Sequence, residues 1–179
     1  MINGYPINSS AINGTGVIIM SFVFSNEFRY RLGKGELDFS DTGAGAFRII
    51  LMQSKETFLF GKDAHGSYAD VKSSELANGN GYTQLDKNLV IGNAWAQNNT
   101  DNKAAISWDN IIWTASSGNI GPISAAIILQ YDATDPGGDG AIGDLSLIVG
   151  CINLGQDVIV ADGLMFQLQN LGFDLVQGT

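Results

Sequence analysis

The chain has 179 residues, 45% of them apolar and only 15% charged, with a formal net charge of -9; it fits a single domain and is too apolar for a disordered protein. The charge is uneven, because residues 1–103 carry all nine Lys and Arg against ten acids, whereas residues 104–179 carry eight Asp and no basic residue. Such a balance cannot neutralise phosphates, which argues against nucleic acid and anionic membrane as partners, and the single cysteine, Cys151, excludes an intrachain disulfide.

At the N-terminus, Ile2-Asn3-Gly4, Ile7-Asn8-Ser9 and Ile12-Asn13-Gly14 recur every five residues. Isolated apolar residues separated by Asn, Gly, Ser and Pro cannot build a core of their own. They suit an extended arm, residues 1–16, whose Ile2, Tyr5, Ile7 and Ile12 enter successive pockets of a neighbouring surface; the alternative is a floppy terminus in which the repetition is chance. No basic residue precedes the first apolar stretch, and that stretch, 17–24, is broken by Ser21 and far shorter than the ~20 residues that span a bilayer. Neither a signal peptide nor a membrane helix is expected.

Residues 17–24 read as a strand, and Ser25-Asn26-Glu27 offers caps for a short helix carrying Phe28, Tyr30, Arg31 and Leu32, ended by Gly33 and Gly35. Strands follow at 46–53 and 57–60. The polar stretch 62–83 is a long excursion, with a helical turn at 73–77. From residue 84 onward short β segments alternate with turns, at 87–91, 104–114, 123–131, 145–154, 158–161, 164–169 and 173–176. Ile106-Ser107-Trp108 and Phe166-Gln167-Leu168 alternate as half-buried strands do, while the runs AAIIL and LSLIVG are continuous enough to lie between two packed layers. The expected fold is mainly β, an antiparallel β-sandwich or jelly roll over 17–179, with one short helix and the extended arm.

Chemistry-bearing residues are few. His65, the only histidine, lies in KDAHGSYAD with Asp63, Ser67 and Asp70 nearby, but a catalytic triad is assembled by geometry rather than by local spacing, and there is no nucleophile elbow. No catalytic residue is assigned and no enzyme is expected. One His and one Cys are too few for a structural zinc site, and Cys151, inside LSLIVGCINL, reads as a buried, inert thiol. Asp132, Asp135, Asp139 and Asp144 share one glycine-rich loop with no cation to balance them, which would suit calcium. Their spacing departs from the EF-hand, however, so the loop reads first as a solvated hairpin tip between strands ending at Tyr131 and starting at Leu145. Trp95, Trp108 and Trp113 read as core or subunit-interface anchors; a sugar-binding role is the alternative.

Asn80-Gly81-Tyr82-Thr83, then ISWDNIIW at 106–113, then IGPISAAIILQYD at 120–132 resemble, in that order, a group of small tailed-bacteriophage virion proteins. LIVGCINLG at 147–155 and GLMFQL at 163–168 continue the resemblance, which spans roughly residues 78–170 together with a helix and strand within 25–53. The N-terminal arm departs from the simpler members, which begin directly at the helix. The resemblance implies a structural protein of the particle, assembled in the host cytoplasm, most simply a capsid decoration or cement protein. It would be a homo-oligomer, with a trimer favoured, seated on the major capsid protein or other virion proteins. A neck or tail connector, or a fibre-associated protein, is the first alternative, and a carbohydrate- or receptor-binding sandwich the second.

Overall fold

The structure, a computed structural model, describes residues 2–4, 8–9, 18–19, 21–37, 39, 46–53, 64–132 and 143–176. Its strands are β1 (Ile2–Gly4), β2 (Asn8–Ser9), β3 (Ile18–Ile19), β4 (Ser21–Phe24), β5 (Phe47–Met52), β6 (Ile91–Asn98), β7 (Lys103–Trp108), β8 (Ile111–Thr114), β9 (Ile120–Gln130), β10 (Leu147–Val160), β11 (Met165–Leu168) and β12 (Gly172–Val176), with one helix, α1 (Asn26–Lys34). All described strand pairs are antiparallel. Two four-stranded sheets, ordered β1-β12-β7-β6 and β4-β10-β9-β5, form the sandwich, beside the ribbons β11-β8 and β2-β3. Among the described residues, no helix is long and apolar enough to cross a membrane.

One core fills the space between the two large sheets. Ile49 and Leu51 of β5, Ile128 of β9 and Val149 and Ile152 of β10 meet Ile106 and Trp108 of β7 and Phe173 of β12. The alternate residues Ile50, Met52, Ile127, Leu129, Ile148 and Cys151 form a second cluster with Tyr68 and Val71. The β4-β10-β9-β5 sheet is therefore buried on both faces, with a segment containing the 3-10 turns Tyr68–Asp70 and Lys72–Ser74 on its outer side. This two-sided burial explains the unbroken apolar runs, since a strand wet on one face would alternate.

The helix starts where the sequence places its cap. The Ser25 hydroxyl accepts a hydrogen bond from the Phe28 N–H (3.0 Å) and donates to the Ile148 carbonyl, while the Ser25 N–H donates to the Val149 carbonyl (3.0 Å). One fully buried serine thus caps α1 and fastens it to β10. Gly33 stays inside the helix with open space around it, and Gly35, at φ 71°, ends it by donating to the Leu32 carbonyl.

Several expected boundaries differ. The stretch 104–114 is two strands in different sheets, parted at Asp109-Asn110. The segments 145–154 and 158–161 are one strand, β10, whose register against β9 shifts between Asn153 and Val158. There Gly155 (φ 74°) donates its N–H to the Asn153 side chain, so a bulge replaces the expected break. At 87–91 a short bridge crosses the outer edge of β5 instead of a full strand, and β6 begins at Ile91. The expected strand at 57–60 lies outside the described residues.

Part of the expected arm pairs with this chain itself. Ile2, Asn3 and Gly4 stand opposite Leu175, Asp174 and Phe173, and Asn8–Ser9 pairs with Ile18–Ile19. Tyr5, Ile7 and Ile12 lie outside the described residues.

Candidate functional site

The loops singled out in the sequence converge on one side of the molecule. Ser67 and Asp70, from the His65 loop, and Asp132, from the acidic loop, line a single cleft of about 310 Å³ with Glu27, Arg31 and Leu145. Arg31 Nε lies 2.7 Å from Glu27 Oε1, one helical turn away. The Asp70 carboxylate accepts from the Gly66 N–H (2.9 Å), the Ser67 N–H (2.8 Å) and the Ser67 hydroxyl (3.0 Å). A hydroxyl has one proton to donate, and Ser67 gives it to Asp70 rather than to an imidazole. The Ser–Asp part of the imagined triad is a turn-closing motif. Asp63 lies outside the described residues.

The acidic loop also differs from its reading as a stretch with no cation to balance it. Lys72 Nζ lies 2.7 Å from Asp144 Oδ2, and the Asp144 side chain is 4% exposed against 35% for Lys72. The Asp144 carbonyl accepts from the Ala69 N–H (2.9 Å) and the Ser146 hydroxyl accepts from the Asp132 N–H (3.0 Å), so this end of the hairpin is tied to the 3-10 segment. β9 and β10 do form the expected hairpin, with Gln130 opposite Leu147. Asp135 and Asp139, the other two calcium candidates, lie outside the described residues, and among the described residues no group of three or more His, Cys, Asp or Glu is placed to hold a metal.

The Lys72–Asp144 pair carries an asymmetric prediction. Lys72→Met leaves a buried carboxylate without its cation and should cost about 3 kcal/mol. Asp144→Asn leaves a lysine that can reach water and should cost only about 1 kcal/mol. Urea denaturation of both variants checks this; equal losses would mean that water, not Lys72, solvates Asp144.

The most elaborate polar arrangement was not singled out in the sequence. Glu75 is 2% exposed, and its Oε1 accepts from the Tyr82 hydroxyl (2.6 Å) and the Leu85 N–H (2.9 Å) while Oε2 accepts from the Tyr68 hydroxyl. The Tyr82 oxygen in turn accepts from the Leu51 N–H (3.0 Å), which carries the network onto β5. Burial pushes the Glu75 carboxyl above its ordinary value, against the opposing pull of its three donors. Burial, together with Glu75, likewise pushes both tyrosines up. All three groups are spent on one another, so the cluster acts as a polar staple holding residues 68–85 against the sheet.

Trp108 and Trp113 are 4% and 3% exposed and lie in the core. Trp95 lines a cleft of about 480 Å³ with Gln97, Asn98, Asn102, Lys103 and Leu175. Lys103 there stands 3.6 Å from Asp174 and 3.8 Å from Asp101. Cys151 is fully buried, which pushes its thiol up to about 12. A thiol reagent should therefore leave the native protein unlabelled and label it completely in denaturant; fast native labelling would reveal opening of the 68–85 segment over it. Compared with models of protein families, with curated proteins and with solved structures, the chain finds no match in any of the three.

Proposed function

We propose that the chain is a non-enzymatic structural subunit of a tailed-phage particle, most simply a homo-oligomeric decoration or cement protein of the capsid. The observation that carries this reading is where the polar chemistry goes. Ser67, Asp70, Glu75 and Asp144 are each engaged in contacts that hold turns and segments together, so surface is what this side of the molecule offers a partner. Exposed apolar side chains provide a further surface. On the β8–β11 ribbon, Trp113 and Phe166 face the core while Ile112 (40% exposed) and Met165 (57%) face out. The segments that carry the virion resemblance are largely those that form β7 to β11. Immunogold labelling of purified particles tests the proposal: gold over the heads supports a cement role, gold on the neck or tail supports the connector, and unlabelled particles overturn both.

A carbohydrate-binding role is favoured by one observation, the Trp95 cleft. Amide side chains beside an indole match the hydroxyls and apolar faces of sugars. A glycan array read with the wild type and with Trp95→Ala would support this role only if signals appear and the substitution removes them.

A further inference from the structure

We infer that β6 is a self-association edge, at which two copies of this chain pair their 91–98 strands antiparallel across a two-fold axis. The inference deepens the structural-subunit reading and rests on it for its purpose. An open strand edge presents unpaired N–H and C=O groups, and proteins that stay apart cover, shorten or charge such edges. The other sheet edges here follow that rule. At β5, the Ile49 N–H donates to the Lys87 carbonyl, the Leu89 N–H to the Phe47 carbonyl and the Leu76 N–H to the Leu51 carbonyl, so the chain covers its own edge. The edge strands β1 and β4 are three and four residues long.

β6 has bulges between Ile91 and Ala96 but none of these other protections. It is eight residues long, it forms one end of its sheet, and its sequence IGNAWAQN holds no charge and no proline. Gly92, Asn93, Ala94, Ala96 and Gln97 are all exposed.

Its composition also selects the occupant. The chain carries a net charge of -9, so most contacts between two copies set acids against acids. β6 itself carries no charge, the nearest acids being Asp109 beside Gly92 and Asp101 beside Asn98 at its two ends. A primary amide is both donor and acceptor and so can bond to its own copy, as a carboxylate or an ammonium cannot; Gln97 is exposed for this, whereas Asn93 is engaged with Ser107 and Asn98 with the 98–101 turn, and Ala94 and Ala96 leave room for close approach. The bulges between Ile91 and Ala96 leave Ala96, Gln97 and Asn98 in regular register with β7, which makes this end the place for pairing to start. Two four-stranded sheets would become one of eight strands through an isologous contact. Where the subunits are also trimers, that contact links one trimer to the next.

The test uses the full chain, whose only cysteine is buried. Ala96→Cys and Gln97→Cys, each made alone and each next to the axis that pairing at 96–98 would create, are oxidised mildly beside Ile159→Cys as an exposed control. Disulfide dimers should accumulate at one or more β6 positions and not at the control. Adding Gln97→Lys to Ala96→Cys, which sets like charges near each other across the axis, should cut that yield about tenfold without altering the circular dichroism or Tm. Crosslinking no greater than at Ile159→Cys overturns the edge contact. The virion reading is judged separately by gold labelling, which can succeed when the β6 cysteines fail and fail when they succeed.

Discussion

Glu75→Ala is expected to destabilise the fold by about 4 kcal/mol, because it strips two buried hydroxyls and the half-buried Leu85 N–H of one shared acceptor. The Tyr68 and Tyr82 hydroxyls and the Leu85 N–H all point at that carboxylate, and water cannot reach a side chain that is 2% exposed. Glu75→Gln should be far milder, about 1 kcal/mol, since its carbonyl oxygen can keep Tyr82 and Leu85 while its amide donates to the Tyr68 oxygen. The two variants also separate charge from shape. Burial raises the folded carboxyl above its ordinary 4.5, so between 4.5 and that higher value the folded chain binds a proton that the unfolded chain has released. Stability from this group is therefore fully present below pH 4.5 and is lost as pH rises through the folded value. The wild type should lose stability relative to Glu75→Gln over that interval. Parallel pH profiles from chemical denaturation would show that the carboxyl is not perturbed by its burial.

The sandwich was legible wherever side-chain pattern and layer coincide. In FRIILM of β5, Ile49 and Leu51 enter one core and Ile50 and Met52 the other, so an unbroken apolar run marked a strand buried on both faces. The helix was legible because caps are local: Ser25 and Gly35 sit within the turns they terminate. β6 was not. An edge strand with most side chains in solvent has no apolar period, and the two large apolar groups in IGNAWAQN, Ile91 and Trp95, are four residues apart with Gly, Asn and Ala between them. β10 read as two strands because exposed Gly155, Gln156 and Asp157 resemble a turn, although they form a bulge within one strand. The polar staple escaped notice for a different reason. Tyr68, Glu75 and Tyr82 stand seven residues apart, a spacing with no meaning in an irregular segment, and only packing against β5 brings their oxygens together. Asp144 and Lys72 are 72 residues apart, so no reading of the loop alone could supply that cation.

Phe173→Ala is the other change with a large expected effect, about 4 kcal/mol, since a fully buried ring would be lost where the two sheets meet. The ring of Phe173 lies 5.4 Å from Phe24, 5.5 Å from Phe28, 5.8 Å from Phe39, 5.7 Å from Trp95 and 6.1 Å from Trp108. Those five belong to a strand of the opposite sheet, the helix, a connecting segment and two strands of its own sheet. No rearrangement of one side chain can refill such a space, because each neighbour is fixed by a different element. Phe173→Leu, which keeps most of the volume, should cost about 1.5 kcal/mol, and Ile159→Ala, at a site 61% exposed, should be within about 0.5 kcal/mol of wild type. Thermal melts followed by tryptophan fluorescence measure all three and also report whether Trp95 loosens when its neighbour is removed. Because β12 also pairs with Ile2–Gly4, a Phe173→Ala protein that melts early should expose its N-terminal segment to protease early as well. Early proteolysis without early melting would place that segment outside the cooperative unit and leave it available to a neighbouring subunit.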